Sequence, residues 1–264
     1  MSETFVELDG VSLTYAEEET EHTLAVENLN LCVSRGEFLA VVGPSGCGKS
    51  TLMKLVTGLL PATSGFVRVA GLEVRDPVPG VGMAFQNATL LPWRTTLDNI
   101  LLPFEIIAPH KHRLRAERST YVALAERLLA LVNLAGAGLK YPWQLSGGMQ
   151  QRANLCRAIV HEPSLLMLDE PFGALDAFTR EELWSVMQTL WLEKKFTSIL
   201  VTHDLREAAF LADRVVVMSQ RPGRVIHEER VPLPRPRSLE TTFLPEFVDV
   251  VHSLRARIHQ EPDA

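Results

Sequence analysis

The sequence has few cysteines, no long apolar run and no basic excess. Its three cysteines, Cys32, Cys47 and Cys156, share no metal-ligand spacing and cannot all pair, so we expect reduced thiols in a cytosolic compartment. No run approaches the roughly 18 apolar residues that a membrane-spanning helix needs. The start, MSETFVELDG, lacks the basic residues and apolar core of a signal peptide. If the protein works at a membrane, we therefore expect another chain to span it.

The charge balance excludes a further class. A formal net charge of −6 argues against a general nucleic-acid-binding protein, which usually carries a basic excess. With 46% hydrophobic and 22% charged residues, the 264-residue chain has the composition of a soluble globular protein. It is long enough for one large domain or two small ones.

Short apolar runs that alternate with helical patterns predict an α/β fold with a mainly parallel sheet. The run EFLAVVG is nearly all apolar, as a strand buried on both faces should be. Two earlier runs, FVELDGVSLTY and LAVENLNLCV, have no helix between them, which predicts an added N-terminal antiparallel β subdomain. The later predicted strands are GVGMAF (80–85), SLLMLD (164–169), TSILVTH (197–203) and RVVVMS (214–219).

Two other stretches depart from this alternation. Residues 94–160 show helical periodicity without a strand pattern, which predicts an α-helical subdomain inserted into the α/β core. We place the main domain at residues 4–229 and a short C-terminal linker and helix at 230–264. In this tail VPLPRPRS predicts a proline-rich linker, and PEFVDVVHSLRARIHQ predicts a helix packed on its own domain. The apolar stripe of that helix comprises Phe247, Val250, Val251, Leu254 and Ile258.

The stretch GPSGCGKST fits the phosphate-loop pattern G-x-x-x-x-G-K-[ST] at every fixed position. It follows an apolar strand and opens a helix, which is the context that the pattern requires. Backbone N–H groups of such a loop and the helix N-terminus bind phosphate oxygens. Lys49 is predicted to reach the β- and γ-phosphates of a nucleotide, and the Ser50 hydroxyl to ligate Mg²⁺. The predicted nucleotide-binding residues here are Gly43, Pro44, Ser45, Gly46, Cys47, Gly48, Lys49, Ser50 and Thr51.

A second candidate element is LLMLDEP, an apolar strand that ends in two carboxylates. Asp169 is predicted to hold Mg²⁺ through water, and Glu170 to orient or deprotonate a water beside the γ-phosphate. The structural alternative is a solvated strand end. This alternative is disfavoured because the apolar run before Asp169 and Glu170 places both carboxylates at the edge of the sheet where ligands bind.

A second glycine-rich turn, LSGGMQQR, also opens a helix. Ser146 and the backbone of Gly147 and Gly148 are predicted to form a second anion site. A plain helix cap explains one serine or one glycine, but it does not explain Leu-Ser-Gly-Gly in a chain that already has a complete phosphate loop.

Together these motifs resemble the nucleotide-binding subunit of an ATP-binding cassette (ABC) transporter, over about residues 4–229. The resemblance implies a P-loop NTPase core that hydrolyses ATP with Mg²⁺. It also implies that LSGG, the family's signature motif, binds the γ-phosphate of the ATP held by the other protomer. Two chains would then form a head-to-tail homodimer with two composite sites.

The resemblance implies roles for four further residues. Gln86 in AFQN would contact Mg²⁺ and the attacking water, and His203 in LVTHD would contact the γ-phosphate. Asp176 in GALD would cross the dimer interface, and Tyr15 in LTY would stack on adenine. Each alone has a structural alternative, but their joint order and spacing favour these roles. The implied catalytic residues are Lys49, Gln86, Glu170 and His203.

The signature motif departs from the family pattern at its fifth position. The family usually has glutamine there, whereas this chain has Met149 followed by Gln150. Only Ser146, Gly147 and Gly148 are therefore assigned to the signature site.

The chain carries one cassette and no membrane segment, which favours an importer or lipid-transport subunit. FQNATLLPWRTTLDNILLPFEI and MSQRPGRVIHEERVPLPRP resemble the importer subfamily for nitrate, sulfonates and taurine. That resemblance implies permease partners, an indirect partnership with a periplasmic or extracellular substrate-binding protein, and a peripheral place on the cytoplasmic face of the inner membrane. The alternatives are a lipid-transport or export cassette, a non-transport regulatory ABC protein, and a phosphate-loop kinase. A kinase would leave the signature motif and His203 unexplained.

The segment after Gln86 predicts a partner surface. In NATLLPWRT the apolar residues Leu90, Leu91 and Trp93 crowd one loop, and an exposed apolar patch usually marks an interface. The resemblance implies that a permease helix docks beside this loop. The alternative is that these residues pack the helical subdomain.

Overall fold

The structure, a computed structural model, describes residues 3–17 and 21–259. The last five residues of the predicted C-terminal segment, including Gln260 of its helix, lie outside the described residues. The strands are β1 (Thr4–Glu17), β2 (Glu21–Ser34), β3 (Phe38–Val42), β4 (Ser64–Val69), β5 (Leu72–Glu73), β6 (Gly82–Ala84), β7 (Leu165–Asp169), β8 (Thr197–Val201), β9 (Arg214–Met218) and β10 (Val225–Arg230). The helices are α1 (Lys49–Val56), α2 (Thr96–Ile106), α3 (His110–Arg113), α4 (Arg118–Leu131), α5 (Gly147–Ile159), α6 (Ala177–Lys194), α7 (Leu205–Leu211) and α8 (Pro245–His259), with 3-10 turns at Pro142–Gln144 and Leu239–Phe243. None of these helices is long and apolar enough to cross a bilayer.

The chain forms two compact units, and the first comprises Met1–Val78 and Thr197–Ala264. Its N-terminal strands form an antiparallel sheet in the order β2-β1-β4-β5. In its other layer β3 lies between β8 and β9 and is parallel to both, and β10 pairs antiparallel with β9. Every residue of β3 is buried, which explains its continuous apolar sequence.

The second unit comprises Pro79–Phe196. Its strands β6 and β7 are parallel, and the chain between them contains α2, α3, α4 and α5 without a strand. The parallel pairs of both units and the antiparallel N-terminal sheet confirm the predicted fold class. Strand β6 is shorter than the predicted run at both ends, and at its C-terminal end the Phe85 carbonyl accepts hydrogen bonds from the side chains of Gln151 and Asn154 instead of from a strand.

The proline-rich segment (residues 231–238) was expected to be a linker, and this prediction is wrong. Val231 and Leu233 are buried, and Arg235 Nε donates to Asp213 Oδ1 at 2.9 Å. The buried Arg237 Nη1 donates to three carbonyl oxygens at the end of α7, and burial lowers the pKa of Arg237 to about 10. Arg237 is still a cation at neutral pH, which suits the negative end of a helix dipole. The carbonyls belong to Ala209 (3.0 Å), Phe210 (2.9 Å) and Ala212 (2.8 Å).

The closing helix α8 packs on its own unit, as predicted, through contacts with α7 and β9. Phe247, Val250 and Leu254 of the predicted stripe are buried, while Val251 and Ile258 are half-buried. Residues 231–259 are therefore an integral part of the first unit.

Replacing Arg237 with Met should lower the free energy of unfolding by about 3 kcal/mol, because buried carbonyls lose charge-assisted donors that no water replaces. Denaturant unfolding of the whole chain measures the change. Arg255→Met, on the exposed face of α8, is the control and should stay within about 0.5 kcal/mol of the wild type. Equal stability of the Arg237 variant and its control would show that these bonds contribute nothing.

Candidate active site

Gly48 shapes the loop between β3 and α1. Its φ is +95°, and a Cβ there would lie 2.5 Å from Val26 Cγ1 and 3.0 Å from the Ala25 carbonyl oxygen. A side chain is thus excluded both by the left-handed backbone and by the neighbouring strand. Helix α1 begins at the next residue, Lys49, with no acidic side chain in its first turn. Its N-terminal N–H groups and positive dipole end suit an anion.

The side chain of Lys49 is buried in this loop. Its Nζ donates to the carbonyl oxygens of Gly43 at 2.8 Å and Pro44 at 2.7 Å, and to Cys47 Sγ at 3.6 Å. Burial raises the pKa of the Cys47 thiol, so that side chain is neutral. An ammonium, the backbone N–H groups and the nearby hydroxyls form the donor set that a nucleotide polyphosphate needs. Ser45, Gly46 and Ser50 are exposed, whereas Thr51 is buried in the first turn of α1.

Two other predicted residues belong to the same unit. Tyr15, in β1, lies with its hydroxyl 3.3 Å from Thr51 Oγ1. His203 is exposed just after β8, and β8 is the parallel neighbour of β3 with Val41 opposite Val201. The phosphate loop and His203 therefore follow the carboxyl ends of adjacent strands, at the edge where ligands of such sheets bind.

Hydrogen bonds fix both neighbours of His203, and the sequence analysis missed them. The Thr202 hydroxyl donates to the buried Glu207 Oε2 at 3.2 Å and accepts from the Asp204 N–H at 3.0 Å. Asp204 Oδ1 in turn accepts from the N–H groups of Arg206 and Glu207 in the first turn of α7. The available signal was a Glu four residues after His203 that directly precedes the apolar run AAFLA, because a carboxylate in such a position tends to be buried and then needs a donor.

In the second unit, Gln86 and Glu170 lie together. Each comes two residues after a paired position of the parallel strands β6 and β7, and Gln86 Nε2 donates to Glu170 Oε2 at 3.1 Å. Glu170 has a φ of +45°, which is rare for a residue with a side chain and concentrates at functional sites. Asp169 ends β7 directly before it.

The signature turn begins α5. Ser146 Oγ accepts from the Met149 N–H at 3.3 Å, so Ser146 is the helix cap. A Cβ at Gly148 would lie 3.0 Å from Leu175 Cδ2, whereas a Cβ at Gly147 would meet nothing within 4 Å. Packing within the described chain therefore does not require glycine at position 147.

Asp176 follows Leu175 and caps α6. Its Oδ1 accepts from the Thr179 N–H at 3.0 Å, and that hydrogen bond is the main reason why the pKa of Asp176 lies below its usual value. Asp176 is exposed and is therefore an anion at neutral pH.

Three polar side chains of α5 connect the signature helix to the segment around Gln86, and the sequence analysis missed this link. Gln151 Nε2 donates to the Phe85 carbonyl at 3.0 Å, and Asn154 Nδ2 donates to it at 3.3 Å. Arg157 Nη1 donates to the Thr89 carbonyl at 2.8 Å. The signal was a polar residue at every third position of an otherwise apolar helix face.

The predicted partner loop is only partly exposed. Leu90 is buried, so the prediction that it lines an open surface is wrong, and Leu91 is half-buried with its N–H bound to Asn99 Oδ1 at 2.7 Å. Trp93 remains 71% exposed. The bonds from the Asn99 side chain fold the loop so that Leu90 turns inward.

Comparison with known proteins identifies the family. The family model described as ABC transporter matches residues 26–173, more than half of the chain. The chain belongs to the ABC transporter family. It is 39% identical over 249 residues to the taurine import ATP-binding protein TauB of Escherichia coli (strain K12), which covers 91% of this chain and 93% of that protein. It is 42% identical over 234 residues to the bicarbonate transport ATP-binding protein CmpD of Synechocystis sp., which covers 88% of this chain and 81% of that protein.

Solved structures of ABC cassettes share the fold. The dimeric post-hydrolysis state of the ATP-binding cassette MJ0796, bound to ADP and Pi, matches with a TM-score of 0.74 and 30% identity. The match covers 87% of this chain and all of that one. This chain is therefore an ABC ATPase, and the identification with importer cassettes of the nitrate, sulfonate and taurine group is confirmed.

Proposed function

We propose that the chain powers the uptake of a small anionic or zwitterionic solute, such as nitrate, a sulfonate or taurine, through a permease formed by other chains. The observation that carries the proposal is identity of about 40% along almost the whole chain to TauB and CmpD. Taurine and bicarbonate, the solutes in those two names, are both small and both carry an anionic group. The chain would act at the cytoplasmic face of the inner membrane, with a substrate-binding protein as an indirect partner.

Uptake measurements test the proposal. In cells that lack this chain, uptake of one such solute should stop, and the wild-type chain should restore it. Labelled taurine, nitrate and bicarbonate, each offered alone, would distinguish the candidate solutes. Normal uptake of all small anions in the deleted strain, or recovery of the chain without any membrane protein, would contradict an import function.

In the first unit, we assign nucleotide binding to the phosphate loop and Tyr15. Lys49 would exchange its carbonyl acceptors for β- and γ-phosphate oxygens, which are stronger acceptors for an ammonium. Ser50 would ligate Mg²⁺, Tyr15 would lie against adenine, and His203 would donate to the γ-phosphate. The exposure of Ser50 and His203 and the donor set of the loop support these roles.

In the second unit, we assign Mg²⁺ binding and water activation to the residues after β6 and β7. Asp169 would hold Mg²⁺ through water and Gln86 would contact it directly, and the ion when bound neutralises charge on the phosphates. Glu170 would accept a proton from the attacking water. The 3.1 Å hydrogen bond from Gln86 fixes the orientation of the Glu170 carboxylate, and the left-handed backbone sets its direction.

We further propose that Ser146, Gly147, Gly148 and Asp176 act across a head-to-tail homodimer. The support is Gly147, where a Cβ would meet nothing within 4 Å in the described chain. A glycine that is not needed for internal packing suits the close approach of a ligand from outside, here the γ-phosphate on the other protomer. Dimeric cassettes among the similar structures provide the precedent.

The exposed Trp93 is proposed to contact the permease, so Trp93→Ala should preserve ATPase activity of the isolated chain and weaken both permease binding and uptake about tenfold or more. An aromatic anchor at the centre of an interface often contributes 2 kcal/mol or more. Phe243→Ala is a matched control, because Phe243 is 74% exposed and lies in a different part of the chain. Co-purification with the permease and uptake are the two measurements. If Trp93→Ala behaves like Phe243→Ala in both, this loop is not the contact.

A further inference from the structure

A cationic segment stands out on this acidic chain. The basic loop (residues 106–118) joins α2 to α4, includes the one-turn helix α3, and carries four cations against one carboxylate on a chain of net charge −6. Lys111, Arg113 and Arg115 are exposed, and within residues 3–17 and 21–259 none of the three forms an ion pair. The fourth cation, Arg118, forms an ion pair with Asp98, with Nη2 3.7 Å from Oδ1. Three unpaired cations therefore face solvent within five residues.

The basic loop is attached to a packed aromatic base. The rings of Phe104 and Tyr121 stack with their centroids 4.1 Å apart. His110 Nδ1 lies 3.2 Å from the Tyr121 hydroxyl, which donates to Glu117 Oε2 at 2.9 Å. These contacts tie the middle and the end of the loop to α2 and α4. The rings of Phe104, His110 and Tyr121 are thereby engaged with one another, so these three rings do not offer the stacking surface that single-stranded nucleic acid uses.

The loop also presents apolar surface beside its cations. Ile106 is 66% exposed at the end of α2, and Ile107 after it is half-buried. An exposed aliphatic side chain flanked by lysine and arginine is typical of segments that lie in a membrane interface, where the cations meet headgroups and the apolar group enters the acyl boundary.

We propose that the basic loop binds the surface of a bilayer that contains anionic headgroups. Charge complementarity favours this occupant, since a negative leaflet attracts each Lys or Arg close to it, while the rest of this chain is repelled by the same leaflet. The loop would hold the subunit against the membrane independently of any permease. The inference goes beyond the proposed function, because lipid binding requires neither transport nor hydrolysis.

Vesicle co-sedimentation of the full-length chain tests the proposal, with phosphatidylcholine vesicles that contain or lack phosphatidylglycerol. The wild type should bind only the anionic vesicles, and high salt should release it. Lys111→Gln, Arg113→Gln and Arg115→Gln together should weaken binding about a hundredfold, since each cation near the surface contributes about fivefold. Ile106→Ser should weaken it about fivefold.

The matched control is the triple change of Arg221, Arg230 and Arg255 to Gln, which removes the same charge from exposed positions elsewhere. It should change binding less than about threefold. Equal loss in both triple variants would show a net-charge effect and overturn the proposal, as would equal binding of the wild type to both kinds of vesicle. If the loop variant binds vesicles normally but fails to co-purify with the permease, the loop contacts protein and the proposal is wrong. Unchanged ATP binding confirms that each variant is folded.

Discussion

Replacing Glu170 with Gln is expected to lower ATP turnover at least about a hundredfold while leaving Mg-ATP binding intact. Glutamine keeps an oxygen that can accept the hydrogen bond from Gln86, seen at 3.1 Å, and it keeps the size of the side chain. It cannot take a proton from water at neutral pH. The loss should therefore appear in the maximal rate rather than in the affinity for ATP.

The same variant should accumulate as an ATP-bound dimer, because product formation is what would open the interface. Sizing chromatography with and without Mg-ATP measures this, and turnover assays measure the rate. Glu193→Gln, a change of an exposed carboxylate on α6, is the control and should behave as the wild type in both. Near-normal turnover by Glu170→Gln would remove Glu170 from the role of base.

The local motifs could be predicted from sequence because each depends on a few adjacent residues. Gly48 and Lys49 determine the phosphate loop and the start of α1, and the apolar run before Asp169 and Glu170 makes a buried strand with two carboxylates at its end. These motifs are consequences of spacing and strand direction. The place of His203 beside the loop came from the family resemblance instead, because spacing does not show that β8 is the neighbour of β3.

What could not be predicted depends on contacts between distant residues. Leu90 was expected on the surface, but the Asn99 side chain bonds to the backbone of Leu91 and to the Arg94 carbonyl, and Leu90 is buried. The proline-rich segment was predicted to be a linker because prolines favour an extended chain. In the structure the buried Arg237 holds this segment against the end of α7 through hydrogen bonds to backbone carbonyls. A sequence pattern does not show which backbone carbonyls will accept hydrogen bonds from a given arginine.

The hydrogen bonds from α5 to the segment around Gln86 are also contacts between distant residues that could not be predicted. Gln151 and Asn154 converge on one carbonyl, that of Phe85, from a helix that starts at the signature turn. A shift of the signature helix would therefore be transmitted to Gln86 through two hydrogen bonds and the Arg157 contact to Thr89. Periodicity predicts the helix but not the partner of its polar face.

If the two halves of each site come from different chains, damage to Lys49 and Ser146 should depend on which chain carries it. With Lys49→Ala on one subunit and Ser146→Arg on the other, one site carries both changes and the second is intact. With both changes on one subunit, each site is damaged once. We expect up to about half of the wild-type turnover in the first arrangement and about a hundredfold loss in the second, since both the lysine and the signature contact the transferred phosphate.

Heterodimers made with two different affinity tags provide both arrangements, and turnover is measured together with the number of tightly bound ATP molecules per dimer. Counting bound ATP reports intact sites even where the two sites depend on each other for hydrolysis. The arrangement with the changes on separate chains should retain one ATP, and the arrangement with both on one chain should retain none. Thr189→Arg, at an exposed position of α6, replaces Ser146→Arg in the control, and the two arrangements should then be equal. Equal turnover and equal ATP retention in the two Lys49 and Ser146 arrangements would show that Ser146 does not serve the nucleotide of the other chain, because only a site shared between chains makes the placement of the changes matter.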